Sequence, residues 1–182
     1  MLYLFAALLA LFAGLALVGW SQTSRSEIFP EQENIDTTLN RRATFSVWSF
    51  WDAKLEFETT EGVLDVVLGF AWWEEEFPSL LDVKRGLTGH RFAVQVVYNT
   101  EYISYWELLQ IFRSLIDPTD EDGQFEQRGF PYTTAIRYHS LEQHDLAVAS
   151  FEHQDSTWAY PLHIVTEILP YDSFYLVDTF NG

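Results

Sequence analysis

Two apolar rhythms share the stretch from residue 62 to 182, and their alternation limits the fold more than anything else in the sequence. Phe92–Tyr98, FAVQVVY, reads as a strand by its alternation. Soon afterwards Tyr105, Leu108, Leu109, Phe112 and Leu115 recur at helical spacing. Ser104 reads as the N-cap of that helix, Glu107 completes a capping box, and Asp117-Pro118 ends it. The same reasoning places strands at 64–68, 82–85, 133–138 and 162–166, and helices at 72–81 and 141–151. Strands alternating with helices give an α/β or α+β sandwich. Thr119–Pro131 reads as a polar loop, and 44–59 as an aromatic lead-in whose second half is an edge strand.

Ahead of this domain lies the apolar run Leu2–Trp20, with no charged side chain before Arg25. It is long enough for a transmembrane helix and lacks the basic start of a signal peptide. Ala6, Ala10 and Gly14 fall on one face, where small residues let a second helix pack closely. The expected organisation is therefore an anchor at 1–20, a linker and lead-in at 21–61, and a folded domain at 62–182. Arg25 weakly places the domain on the cytoplasmic or matrix side.

Chemistry is bounded by what is missing. The 182 residues include no cysteine, which removes disulfides, thiolate catalysis and zinc–thiolate sites. A net charge of -17 makes nucleic acid an unsuitable partner. His139, His144 and His153 lack paired-ligand spacing, and no phosphate loop or catalytic triad can be assembled. The expectation is no metal and no cofactor.

The stretch Leu64–Phe77, LDVVLGFAWWEEEF, reads as strand, glycine turn, acidic helix start. It resembles the Gly-Cys-Phe-Trp-x-x-Glu signature of the A-type peptide-methionine sulfoxide reductases through Gly69, Trp72 and Glu75. The resemblance continues in family order. It includes Thr88-Gly89-His90, the helix with Glu107-Leu108-Leu109, and Asp117-Pro118-Thr119. It then takes in Gly129, Tyr132, Ala135, Ile136, Tyr138 and His139, and ends on Val165-Thr166-Glu167-Ile168 with Pro170. It implies a two-layer α/β sandwich of ferredoxin-like type.

The resemblance also implies that the chemistry has changed. Phe70 stands where the family has its nucleophilic cysteine, Phe92 where it has a glutamate, Gln127 where it has an aspartate, and Leu87 where it has one tyrosine. The second tyrosine is kept as Tyr132 and the methyl-binding tryptophan as Trp72. The expectation is a non-catalytic pseudoenzyme, its relict pocket marked by Gly69, Trp72 and Tyr132. Its function is expected to be that of an accessory subunit in a larger membrane complex. The partners are then the lipid bilayer and other subunits, in a mitochondrial inner-membrane respiratory or ATP-synthase assembly. The alternative is a binding module that holds a methionine-like or apolar side chain of a partner in the relict pocket.

Overall fold

The computed structural model describes residues 39–71, 78–156 and 163–177. All of them belong to one compact unit, Asp36–Gly182. In chain order the elements are β1 (Asn40–Ser46), α1 (Phe50–Glu58), β2 (Val63–Ala71), α2 (Leu80–Lys84), β3 (Arg91–Asn99) and α3 (Tyr105–Ser114). A short hairpin, β4 (Gly123–Gln124) and β5 (Gln127–Arg128), leads to a 3-10 turn at Phe130–Tyr132. Then come β6 (Ala135–Tyr138), α4 (Leu141–Ser156), β7 (Glu167–Pro170) and β8 (Phe174–Leu176).

The main sheet runs β7-β6-β1-β3-β2-β8. Its neighbours are antiparallel except β6 and β7, which are parallel. Residues 40–58, assigned by the sequence reading to the lead-in, thus contribute a central strand and a helix of the same core. The second half of 44–59, expected as an edge strand, is the helix α1. Ser49 caps it, accepting from the Asp52 N–H at 3.3 Å. Phe50, Ala53 and Phe57 sit three and four apart and are all buried. Local charge alternation misled because Leu55 in fact points outward, 64% exposed.

Phe45 explains why β1 lies at the centre. Its ring stacks on Phe57 of α1 at 5.5 Å and on Phe112 of α3 at 4.8 Å, so one strand residue ties both helices to the sheet. The capping box of α3 forms as expected, with Ser104 N–H donating to Glu107 Oε2 at 2.8 Å and Glu107 N–H to Ser104 Oγ at 3.2 Å. The Ser104 hydroxyl also donates to Glu107 Oε2 at 2.7 Å, and this bond first, then the one from the Ser104 N–H, holds the Glu107 carboxyl below its ordinary range.

β3 is where expected, yet Arg91–Tyr98 are buried without interruption rather than on alternate residues. One face meets the helices. The other carries Arg91, Gln95, Thr44, Ser46 and Arg137, all buried. Gln95 Nε2 donates to Thr44 Oγ1 at 3.3 Å, Arg91 pairs with Glu167, and Arg137 with Asp172 at 3.3 Å. Burial pushes the Arg91 pKa down against the Glu167 carboxylate, and the Arg137 pKa down to about 10 against Asp172.

Residues 82–85, expected as a strand, belong mainly to α2, capped by Ser79. The strand expected at 162–166 is instead β7, which starts at Glu167 to run beside β6. The helix expected at 72–81 lies outside the described residues up to position 77. So does the Leu2–Trp20 run with Ala6, Ala10 and Gly14. Among the described residues no helix is long and apolar enough to cross a membrane. The longest, α4, has 16 residues, about 24 Å against a hydrocarbon core of ~30 Å.

Candidate functional site

Gly69 is not a turn. It sits inside β2, opposite Ala93 of β3 and Leu176 of β8. A Cβ there would meet the Phe174 ring and the Tyr175 carbonyl oxygen, each at 2.5 Å. The glycine is needed because β8 crosses so closely. Its neighbour Phe70 is 1% exposed and pairs in register with Phe92 of β3, their rings 5.9 Å apart.

Phe92 is the hub of the region. Phe50 of α1 packs edge-on against it at 5.1 Å, and Tyr132 of the 3-10 turn tilts onto it at 5.2 Å. Above these rings a cavity of about 350 Å³ opens, within the range of small-molecule sites. Trp48, Ser49, Phe50 and Trp51 form one wall, and Leu80 and Lys84 of α2 form another. Phe92, Gln127 and Tyr132 complete it. The Trp48 indole is fixed by donating to the Leu115 carbonyl at 3.1 Å and by an edge contact with Phe125 at 5.2 Å.

The lining is aromatic with four polar side chains, those of Tyr132, Lys84, Gln127 and Ser49, of which the Ser49 hydroxyl is engaged in capping α1. The Tyr132 hydroxyl approaches the Lys84 carbonyl at 3.5 Å. Burial raises its pKa, so the phenol keeps its proton and remains a donor at neutral pH. Such a cavity suits a ligand with an apolar body and one hydrogen-bond-accepting oxygen.

Three of the residues singled out by sequence, Phe92, Gln127 and Tyr132, thus share one cavity. Phe70 lies beneath it in the core. Gly69 is back in the sheet, and Leu87 is 69% exposed without lining the cavity. Trp72 lies outside the described residues. Sequence reading missed Trp48, Ser49, Phe50, Trp51, Leu80 and Lys84 as site residues. The signal for four of them was the aromatic density of 45–51, excessive for an open loop. Among the described residues no three His, Cys, Asp or Glu side chains converge as a metal site.

Comparison with known proteins bears on the family and the fold. The family described as peptide methionine sulfoxide reductase matches residues 41–180. The "Peptide methionine sulfoxide reductase MsrA" of Halalkalibacterium halodurans is 40% identical over 134 residues, 74% of this chain and 76% of that protein. The MsrA of Bacillus subtilis is 37% identical over 139 residues, covering 76% and 78%. The solved methionine sulfoxide reductase A of Corynebacterium diphtheriae superposes with a TM-score of 0.72 at 26% identity, covering 77% of this chain and 71% of that one. The α/β fold, a curled mixed sheet with helices, is the one those proteins have.

These relatives overturn the expectation of a non-catalytic accessory subunit. Proteins that align with three quarters of the chain carry the name of an enzyme. Missing one nucleophile type is not positive evidence for a degenerate domain. The single-pass anchor and the mitochondrial inner-membrane, respiratory-chain placement are corrected to what is found: among the described residues no helix is long and apolar enough to cross a membrane, and the relatives are named as methionine sulfoxide reductases.

Proposed function

Because the chain belongs to the peptide methionine sulfoxide reductase family, we propose that its aromatic cavity takes up methionine sulfoxide carried by a peptide and serves its reduction. One observation carries this reading. Phe92, Gln127 and Tyr132, the positions that align with the family's acidic and tyrosine residues, line a single open cavity of about 350 Å³. The strand order around it also supports the ferredoxin-like two-layer sandwich as the finer description of the fold.

The sulfoxide side chain has an apolar methyl end and a polar S–O bond. Phe50, Trp51 and Phe92 receive the methyl and methylene groups, while Tyr132, Lys84 and Gln127 donate to the oxygen. The chain has no thiol, so the two electrons come from a dithiol reductant supplied in trans. The S–O bond breaks, the two thiol sulfurs join as a disulfide, and the oxygen leaves as water with both thiol protons. The donors around the oxygen stabilise the charge that develops on it as the bond breaks.

The test uses the full chain, a peptide with one methionine sulfoxide, and dithiothreitol. Calorimetry reads binding and mass spectrometry reads loss of the oxygen. The expected result is turnover above the reductant-only control, reduced about a hundredfold or more by Tyr132→Phe, in line with loss of one positioned donor. A peptide that neither binds nor loses oxygen sinks the proposal. Binding without turnover keeps the recognition and removes the external-thiol chemistry.

A further inference from the structure

A second cavity, of about 460 Å³, lies at the other end of β1 and β3 from the aromatic pocket. The first pocket gathers around Phe92, where β3 starts; this one gathers around Tyr98, where it finishes. Its chemistry differs as well. Arg41 and Arg42, at the start of β1, open onto it beside the flat side chains of Tyr98, Tyr105 and Trp106.

Three features converge on an anionic ligand with a ring. First, Arg41 stands opposite Tyr98 in the β1–β3 register, and its charge opposes the rise that burial imposes on the Tyr98 phenol. Second, the first turns of both α3 and α4 border the cavity, through Ser104–Trp106 and through Ser140, Glu142 and Gln143. Two helix N-termini therefore add positive potential to that of the guanidinium groups. Third, Tyr105 is 5% exposed, and its hydroxyl has no hydrogen-bond partner among the described residues. A buried hydroxyl ordinarily has one.

The overall charge of -17 works against anions at long range. That field is screened beyond about 10 Å at 0.1 M salt, whereas a guanidinium in contact is not. Glu142 on the rim limits the ligand to a single strongly charged group. We propose that this cavity binds a small ring-bearing molecule with one phosphate or carboxylate, the anion held by Arg41 and the ring laid against Tyr98 and Trp106.

The probes are adenosine monophosphate and indole-3-acetate for the two anion types, with adenosine and inorganic phosphate as the separate halves of the first and indole and acetate as those of the second. Each is titrated calorimetrically into the full chain. One of the two ring-bearing anions binds at least about tenfold tighter than either half, as expected when a charge-assisted contact and a stacking contact act together. Arg41→Gln, at an exposed position, weakens that binding by about tenfold or more. Trp51→Ala, in the other pocket, leaves it unchanged. Circular dichroism confirms that both variants are folded. If neither ring-bearing anion binds, if a half binds as tightly as the whole, or if Arg41→Gln binds like the wild type, the assignment is overturned.

Discussion

Replacing Phe92 with alanine tests both the core and the pocket. The side chain is 5% exposed and touches the rings of Phe50, Phe70 and Tyr132 at 5.1, 5.9 and 5.2 Å. Removing a buried phenylalanine costs about 3–5 kcal/mol, the transfer term plus the cavity left behind. Three ring neighbours lose a partner at once, and two of them, Phe50 and Phe70, are anchored on a helix and a strand that cannot easily collapse inward. We therefore place Phe92→Ala at about 4 kcal/mol, a large share of the ~5–15 kcal/mol that stabilises an ordinary domain. Phe92→Leu keeps most of the volume and costs about 1.5 kcal/mol or less. Urea unfolding of the three proteins measures the differences. Because the lost ring forms the cavity floor, methionine sulfoxide binding weakens in the alanine variant more than in the leucine one. A loss under about 1.5 kcal/mol for alanine, or identical binding in all three proteins, refutes Phe92 as hub and floor.

Gly69→Ala brings a methyl group to 2.5 Å from both the Phe174 ring and the Tyr175 carbonyl; we expect a loss of about 1–3 kcal/mol and faster amide exchange confined to β8, and unchanged β8 exchange would contradict the close approach. The His139 ring stacks on Tyr171 at 4.2 Å and its Nε2 lies 2.9 Å from Thr44 Oγ1. Burial, then the Arg42 charge, push its pKa from 6.5 down to about 4. Between those values the unfolded chain binds the proton and the folded one does not, so stability falls as pH drops from about 6.5 towards 4. The residue is partly open to solvent, which screens the effect to about 1 kcal/mol. Thermal unfolding at both ends of that window, for wild type and His139→Gln, should show the smaller drop in the variant; equal drops would discount His139.

Some of this protein can be worked out from the order of its residues alone. The α3 helix with its capping box follows from Ser104, Glu107 and the apolar spacing, because those interactions reach only three or four residues along the chain. The family could be recognised for a related reason: its motifs are short, and their order survives even where the reactive residues have changed. Gly69 shows where local reading stops. A glycine after an apolar run looks like a turn, but this one is required by Phe174 and Tyr175, more than a hundred residues further on. The helix at Phe50–Glu58 was hidden because its buried set is decided by β2 and β3 packing on one side of it. The polar burial of Arg91 and Arg137 depends on carboxylates from Glu167 and Asp172. Only the folded chain brings Trp48, Lys84, Phe92, Gln127 and Tyr132 around one cavity, since a pocket is a property of distances between elements, and no local pattern of residues encodes those.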